Sequence, residues 1–126
     1  MSIGYETQVP PINTLTFYNA IANDGVMVKP KFVESIVKNG EVIEEIPTEV
    51  INPAIASPKT IEQIQTILEK VVSIGLGKPA GSKQFHVSGK TGTANKLGED
   101  GKYMQKKVRT TFISAFPISD PQYALL

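Results

Sequence analysis

Apolar residues recur at three- and four-residue spacing in two stretches of this chain and alternate with polar residues in several others, which predicts a mixed α+β fold. In the first helical stretch Ile12, Leu15, Tyr18 and Ala22 form one stripe that Phe17, Ala20 and Ile21 widen, the pattern of a deeply buried helix. Pro11 suits its first position, where a missing N–H costs nothing, and Asn23-Asp24-Gly25 ends it with residues that tolerate a left-handed backbone. The second stretch is the firmer one. Ser57 is an N-cap followed by Pro58 at N1, and Ile61, Ile64, Ile67, Leu68, Val71 and Val72 then repeat up to Gly75. Glu62, Gln63, Gln65, Glu69 and Lys70 fill the opposite side, so this helix lies on the surface against a sheet or other helices.

Between the helices, residues 26–28, 32–38 and 42–46 read as short strands. Asn39-Gly40 joins the last two in a small antiparallel flap, whose charges Lys38, Glu41, Glu44 and Glu45 read as a solvated face. Gly75 to Ser82 is a glycine-rich connection, after which Phe85, Val87 and Gly89 alternate with His86, Ser88 and Lys90 in strand period. His86 is the only histidine, and with no acidic residue close by in sequence it reads as a strand-surface residue rather than a general base. Residues 95–109 are polar, with Lys96, Lys102, Lys106, Lys107 and Arg109 against Glu99 and Asp100, and predict a long solvated hairpin loop, the rival reading being that this positive excess next to Lys90 helps attract an anionic substrate. Residues 111–116 form a strand, 117–121 a turn, and Tyr123-Ala124-Leu125-Leu126 an apolar strand that ends without a turn or cap, as if cut.

Composition narrows the function classes. The 126 residues are 40% hydrophobic, enough for the core of one compact unit or a piece of one. The formal charge of +1, from 13 basic and 12 acidic residues, gives no global field to draw nucleic acid or anionic lipid. The absence of cysteine excludes disulfides and thiolate metal sites, and no apolar run is long enough to span a membrane. The first residues lack the basic and apolar regions of a signal peptide, so any targeting element lies outside this chain.

The pointed chemistry lies in Val87-Ser88-Gly89-Lys90-Thr91-Gly92-Thr93-Ala94. Lys90 offers a positive charge with three donors, Thr91 and Thr93 offer hydroxyls, and Gly89 and Gly92 let a backbone or ligand approach. Such a strand is an anion-binding ledge. Gly89-Lys90-Thr91 is not the end of a phosphate-binding P-loop, because Gln84 stands where that motif needs a glycine and no helix follows.

Lys90-Thr91-Gly92-Thr93-Ala94 resembles the third signature motif of the penicillin-binding proteins, the serine transpeptidases that cross-link bacterial peptidoglycan. The resemblance extends over essentially the whole chain. Val9-Pro10-Pro11-Ile12, Tyr18, Ala20-Ile21-Ala22-Asn23-Asp24-Gly25-Val26 and Val28-Lys29-Pro30 match the family's upstream segment at its spacing. The helix after Ser57-Pro58, the turn Gly75-Leu76-Gly77, and Phe112 to Pro117 with Pro121 and Tyr123 follow in family order. It is closest to the monofunctional class B division and elongation enzymes, with Asn13 in place of the usual glutamine, Leu76 of threonine and Ser114 of a frequent glycine.

The resemblance implies a β-lactamase/transpeptidase-like α+β fold, an antiparallel sheet flanked by helices with a small flap. The implied substrate is a peptidoglycan stem peptide ending in D-alanyl-D-alanine, with β-lactam antibiotics as inhibitors and with neither cofactor nor metal. Lys90 and Thr91 would anchor the substrate carboxylate, Gly92 would leave room for substrate added along the strand edge, and the Thr93 N–H would serve the oxyanion hole. Lys90 would also bear on proton transfer around the nucleophile. The implied place of action is the extracytoplasmic face of the bacterial cytoplasmic membrane, reached through an anchor absent from this chain.

The family's Ser-x-x-Lys at a helix start and Ser-x-Asn on a loop are the missing parts. No Ser-x-Asn occurs, and Ser35-Ile36-Val37-Lys38 lies in a predicted strand, where residues three apart face opposite ways. Residues 1–126 therefore read as the C-terminal part of a transpeptidase domain without its nucleophile, inactive alone. Its partners would be the missing N-terminal part of its own domain or, through the bare strand at Tyr123 to Leu126, another copy. The rival readings are a β-lactam sensor or β-lactamase of the same fold, and a noncatalytic interaction module that keeps only the ledge.

Overall fold

Among the described residues, 8–98 and 101–126 of a computed structural model, two α-helices pack on one three-stranded sheet, and two short strand pairs stand apart from it, one of them against the first helix. Most of the stretch before Pro10 is outside the described residues, as are Glu99 and Asp100.

Helix α1 runs Pro11–Ala22, with Pro11 in its first turn and the Pro10 carbonyl accepting from the Asn13 N–H at 3.0 Å. It ends as its sequence requires: Asp24 and Gly25 both take positive φ, 50° and 90°, while the Gly25 N–H returns to the Ala20 carbonyl. The expected deep burial holds only for the last turn. Ala20, Ile21 and Ala22 are buried, whereas Phe17 is 48% exposed.

Helix α2 spans Pro58–Ser73, and Ser57 caps it by accepting from the Thr60 N–H at 3.2 Å. Its buried stripe, anchored by Ile61 and Val72, faces the sheet and α1. Gln65 fastens the two helices by donating at 2.8 Å to the Ile21 carbonyl, one of the last-turn acceptors that α1 cannot satisfy itself.

Strand β1 (Met27–Val28) pairs antiparallel with β4 (Val50–Asn52), a strand with no counterpart in the sequence expectation. Between them β2 (Ser35–Lys38) and β3 (Glu41–Glu45) form the expected flap, with Asn39 and Gly40 at φ 54° and 85°. The first flap strand is shorter than predicted and the second is shifted by one residue, and Ser35–Lys38 is indeed strand, with Ser35 opposite Glu45 and Lys38 opposite Glu41.

The main sheet has the order β5-β6-β7, formed by Ser88–Leu97, Tyr103–Phe116 and Tyr123–Leu125. Here the structure corrects the sequence reading. The predicted loop over 95–109 is mostly strand, since pairing continues out to Leu97 opposite Tyr103. Residues 95–97, 103, 104 and 107–110 of these arms are exposed on both faces, so backbone hydrogen bonds rather than apolar burial hold them, and polar residues suit them. α2 packs against β5 and α1 against β6 and β7, burying Ser88, Ile113, Ser114 and Ala115 at the base of the sheet.

Candidate active site

Strand β5 is an edge of the main sheet: β6 pairs with one side of it, and no described strand pairs with the other. All four residues singled out by sequence, Lys90, Thr91, Gly92 and Thr93, lie on it, in register with Ile113, Phe112, Thr111 and Thr110. Strand alternation sends Lys90 and Gly92 to one face and Thr91 and Thr93 to the other. The glycines report the same division. A Cβ at Gly92 would meet the Thr111 hydroxyl, and one at Gly89 would meet the Phe112 ring at 2.6 Å.

The Lys90 side chain is exposed, and its Nζ donates to the Thr91 carbonyl at 2.6 Å. The ammonium is thereby held at the strand backbone. No carboxylate pairs with it among the described residues, so its charge remains available to an anion. Thr91 is half-buried and Thr93 exposed. Along a strand, N–H and C=O groups two residues apart point to the same side, so the Thr93 N–H and the Thr91 carbonyl share one side of β5.

The base of β5 is rigid. Ser88 is 1% exposed and donates at 3.0 Å to the Ala115 carbonyl, so its hydroxyl is tied to the β5–β6 ladder. Other serines are similarly committed: Ser57 caps α2, Ser82 accepts from the Gln84 N–H at 3.0 Å, and Ser35 sits in the flap. Ser2 is outside the described residues.

His86 precedes β5 rather than lying within it, and α2 supplies the acidic neighbour that the sequence did not show nearby. Glu69 Oε1 is 3.3 Å from His86 Nδ1 at an exposed position, and the His86 carbonyl accepts from the Ile118 N–H at 2.9 Å. These contacts tie α2 and the β6–β7 turn to the start of β5. Among the described residues no group of histidines and carboxylates could hold a metal ion.

The family model for the penicillin-binding protein transpeptidase domain matches residues 1–126. This chain belongs to the penicillin-binding protein transpeptidase family. It is 28% identical to a peptidoglycan D,D-transpeptidase FtsI homolog of Mesostigma viride, covering 99% of this chain and 23% of that protein. It is 32% identical to stage V sporulation protein D of Bacillus subtilis, covering 95% of this chain and 19% of the relative. Among solved structures, the apo transpeptidase domain of Burkholderia pseudomallei penicillin-binding protein 3 superimposes with a TM-score of 0.75 at 30% identity. That match covers 98% of this chain and 35% of the other. The chain thus spans about a fifth of the length of these curated relatives. The likeness confirms the transpeptidase-like α+β fold expected from the Lys90-Thr91-Gly92-Thr93 strand and the segments around it.

Arg109 is one of the cations that the sequence offers as an attractant for an anionic substrate. It lies on β6 directly opposite Ala94 and shares a sheet face with Lys90. Only the strand register reveals this.

Proposed function

We propose that this chain is the C-terminal part of the transpeptidase domain of a class B penicillin-binding protein and supplies the substrate-holding wall of a peptidoglycan D,D-transpeptidase. The observation that carries the reading is the open edge of β5, where Lys90 presents an ammonium with no carboxylate partner among the described residues, followed by Gly92 and Thr93. A stem peptide ending in D-alanyl-D-alanine lies along this edge as an added strand. Its terminal carboxylate meets Lys90 and Thr91 in a charge-assisted contact, and the Thr93 N–H faces the carbonyl oxygen on which charge develops.

The attack is made by a serine in another part of the longer polypeptide. Its hydroxyl adds to the carbonyl between the two D-alanines and the terminal D-alanine leaves with the proton; an amine of a neighbouring stem then takes the acyl group from the serine ester, and its proton returns to the serine oxygen. Lys90 contributes a positive charge beside that proton transfer. No described helix is long and apolar enough to cross a membrane. In this reading an anchor elsewhere in the polypeptide holds the domain on the outer face of the cytoplasmic membrane.

A fluorescent penicillin tests the assignment. The longer polypeptide should be acylated at a serine outside residues 1–126, and Lys90→Ala should lower the acylation rate by about 100-fold, the scale of losing a site's main electrostatic contact. The isolated chain should not be labelled covalently. Covalent labelling of these 126 residues alone would overturn the reading.

A further inference from the structure

Lys90 and Arg109 are two cations on one face of the β5–β6 ladder, with Ile113 opposite Lys90, Thr111 opposite Gly92, and Arg109 opposite Ala94. The β5 residues between the cations on this face are nearly bare. Gly92 has no side chain and Ala94 has one methyl, so the long arginine stem has a clear path across β5 to the open edge. No third strand lies beside Arg109 among the described residues, because β7 pairs with β6 only from Ser114 to Phe116. Arg109 is exposed and, like Lys90, forms no ion pair there.

We propose that Arg109 is a specificity-determining residue that binds a second substrate carboxylate, on the side chain of the residue preceding the D-alanine pair. The inference rests on the anchoring role of Lys90 given above and adds to it. A substrate with its terminal carboxylate at Lys90 and Thr91, and its reacting carbonyl at Thr93, continues past Ala94 as it leaves the reacting centre. With that carbonyl at Thr93, the residue preceding the D-alanine pair lies about one strand residue further on, at Ala94, so its side chain comes level with Arg109. A guanidinium grips a carboxylate through two parallel hydrogen bonds, which a carboxamide cannot match. The site therefore selects stem peptides whose third residue from the C-terminus carries a free side-chain carboxylate.

The test uses two synthetic peptides ending in D-alanyl-D-alanine that differ only in a carboxylate or a carboxamide on that third residue. Their affinities for this chain are measured by NMR titration at low ionic strength. The carboxylate peptide should bind about three- to tenfold more tightly, the range for one partly exposed charge-assisted pair. Arg109→Gln should abolish the preference, Arg109→Lys should retain part of it, and Lys90→Gln should weaken both peptides alike. Amide spectra of the variants show whether the fold is intact.

Equal affinity of the unaltered chain for the two peptides overturns the Arg109 assignment alone, as does a preference that survives Arg109→Gln. Binding of neither peptide by the unaltered chain, or indifference to Lys90→Gln, overturns the anchor and this inference together.

Discussion

Gly92 and Thr111 face each other across β5 and β6, and a Cβ added to Gly92 would run into the Thr111 hydroxyl and nothing else at short range. The clash is with one rotatable atom. Twisting Thr111 by about 30° off its rotamer to clear the contact costs about 0.5–1.5 kcal/mol, while replacing glycine by alanine recovers about 0.4–1 kcal/mol through the unfolded chain. The terms nearly cancel. Gly92→Ala should therefore change stability by less than about 1 kcal/mol in urea denaturation. Adding Thr111→Ala should restore more stability than that substitution does in the parent background. A loss above about 3 kcal/mol would show that the neighbouring backbone, not the hydroxyl, limits the site.

Gly89 presents the opposite case on the same strand. A Cβ there would stand 2.6 Å from both the Ile113 carbonyl oxygen and the Phe112 ring, and a carbonyl inside a ladder has no rotamer to change. Gly89→Ala should cost about 3 kcal/mol or more, at the upper end of overpacking effects. Phe112→Ala in the same chain should not rescue it, because the Ile113 carbonyl remains. Double-mutant denaturation decides the point: recovery with Phe112→Ala would place the whole conflict in the ring.

Sequence legibility followed burial and local chemistry. The start of α2 was readable because Ser57 and Pro58 act within one turn, and the flap turn because Asn39 and Gly40 accept positive φ. β4 was missed because three exposed residues leave no alternation to detect. The outer arms of β5 and β6 were missed for a related reason: period-two patterning reports one buried face, and these arms have none. Lys90 to Thr93 could be found as a motif, since the chemistry lies on consecutive residues. Arg109 could not, because its relation to Lys90 depends on pairing residues across a hairpin.

Tyr18 lies in α1 beside Phe17, their rings edge to face at 5.9 Å, and burial raises its phenol pKa above the ordinary value of 10.0. The folded chain thus keeps this proton at a pH where the unfolded chain releases it. Its contribution to stability is complete below pH 10 and declines as pH rises from there through the folded-state pKa. Tyr18→Phe should consequently lose less stability than the parent between pH 9.5 and about 11, as read by urea denaturation across that interval. Identical alkaline losses in the two proteins would assign the effect to other groups.

Among the described residues β7 is the other edge of the main sheet, with Tyr123 64% and Leu125 56% exposed and Tyr123 stacked on Phe116 at 5.4 Å. A cleft of about 290 Å³ beside it is lined by Asn19, Val28, Thr48 and Tyr123, so the strand borders a concave surface rather than a flat one. Unpaired strand groups next to exposed apolar side chains are a template for another strand. At high concentration this chain should self-associate through β7, giving a concentration-dependent mass in sedimentation equilibrium. Leu125→Lys should shift it towards monomer by placing a charge in the contact while leaving the three β6–β7 backbone pairings in place. Ala124→Pro offers a harsher check, since proline removes a backbone donor from the same strand. A monomer at every concentration, or an association indifferent to both substitutions, would exclude this edge as the contact.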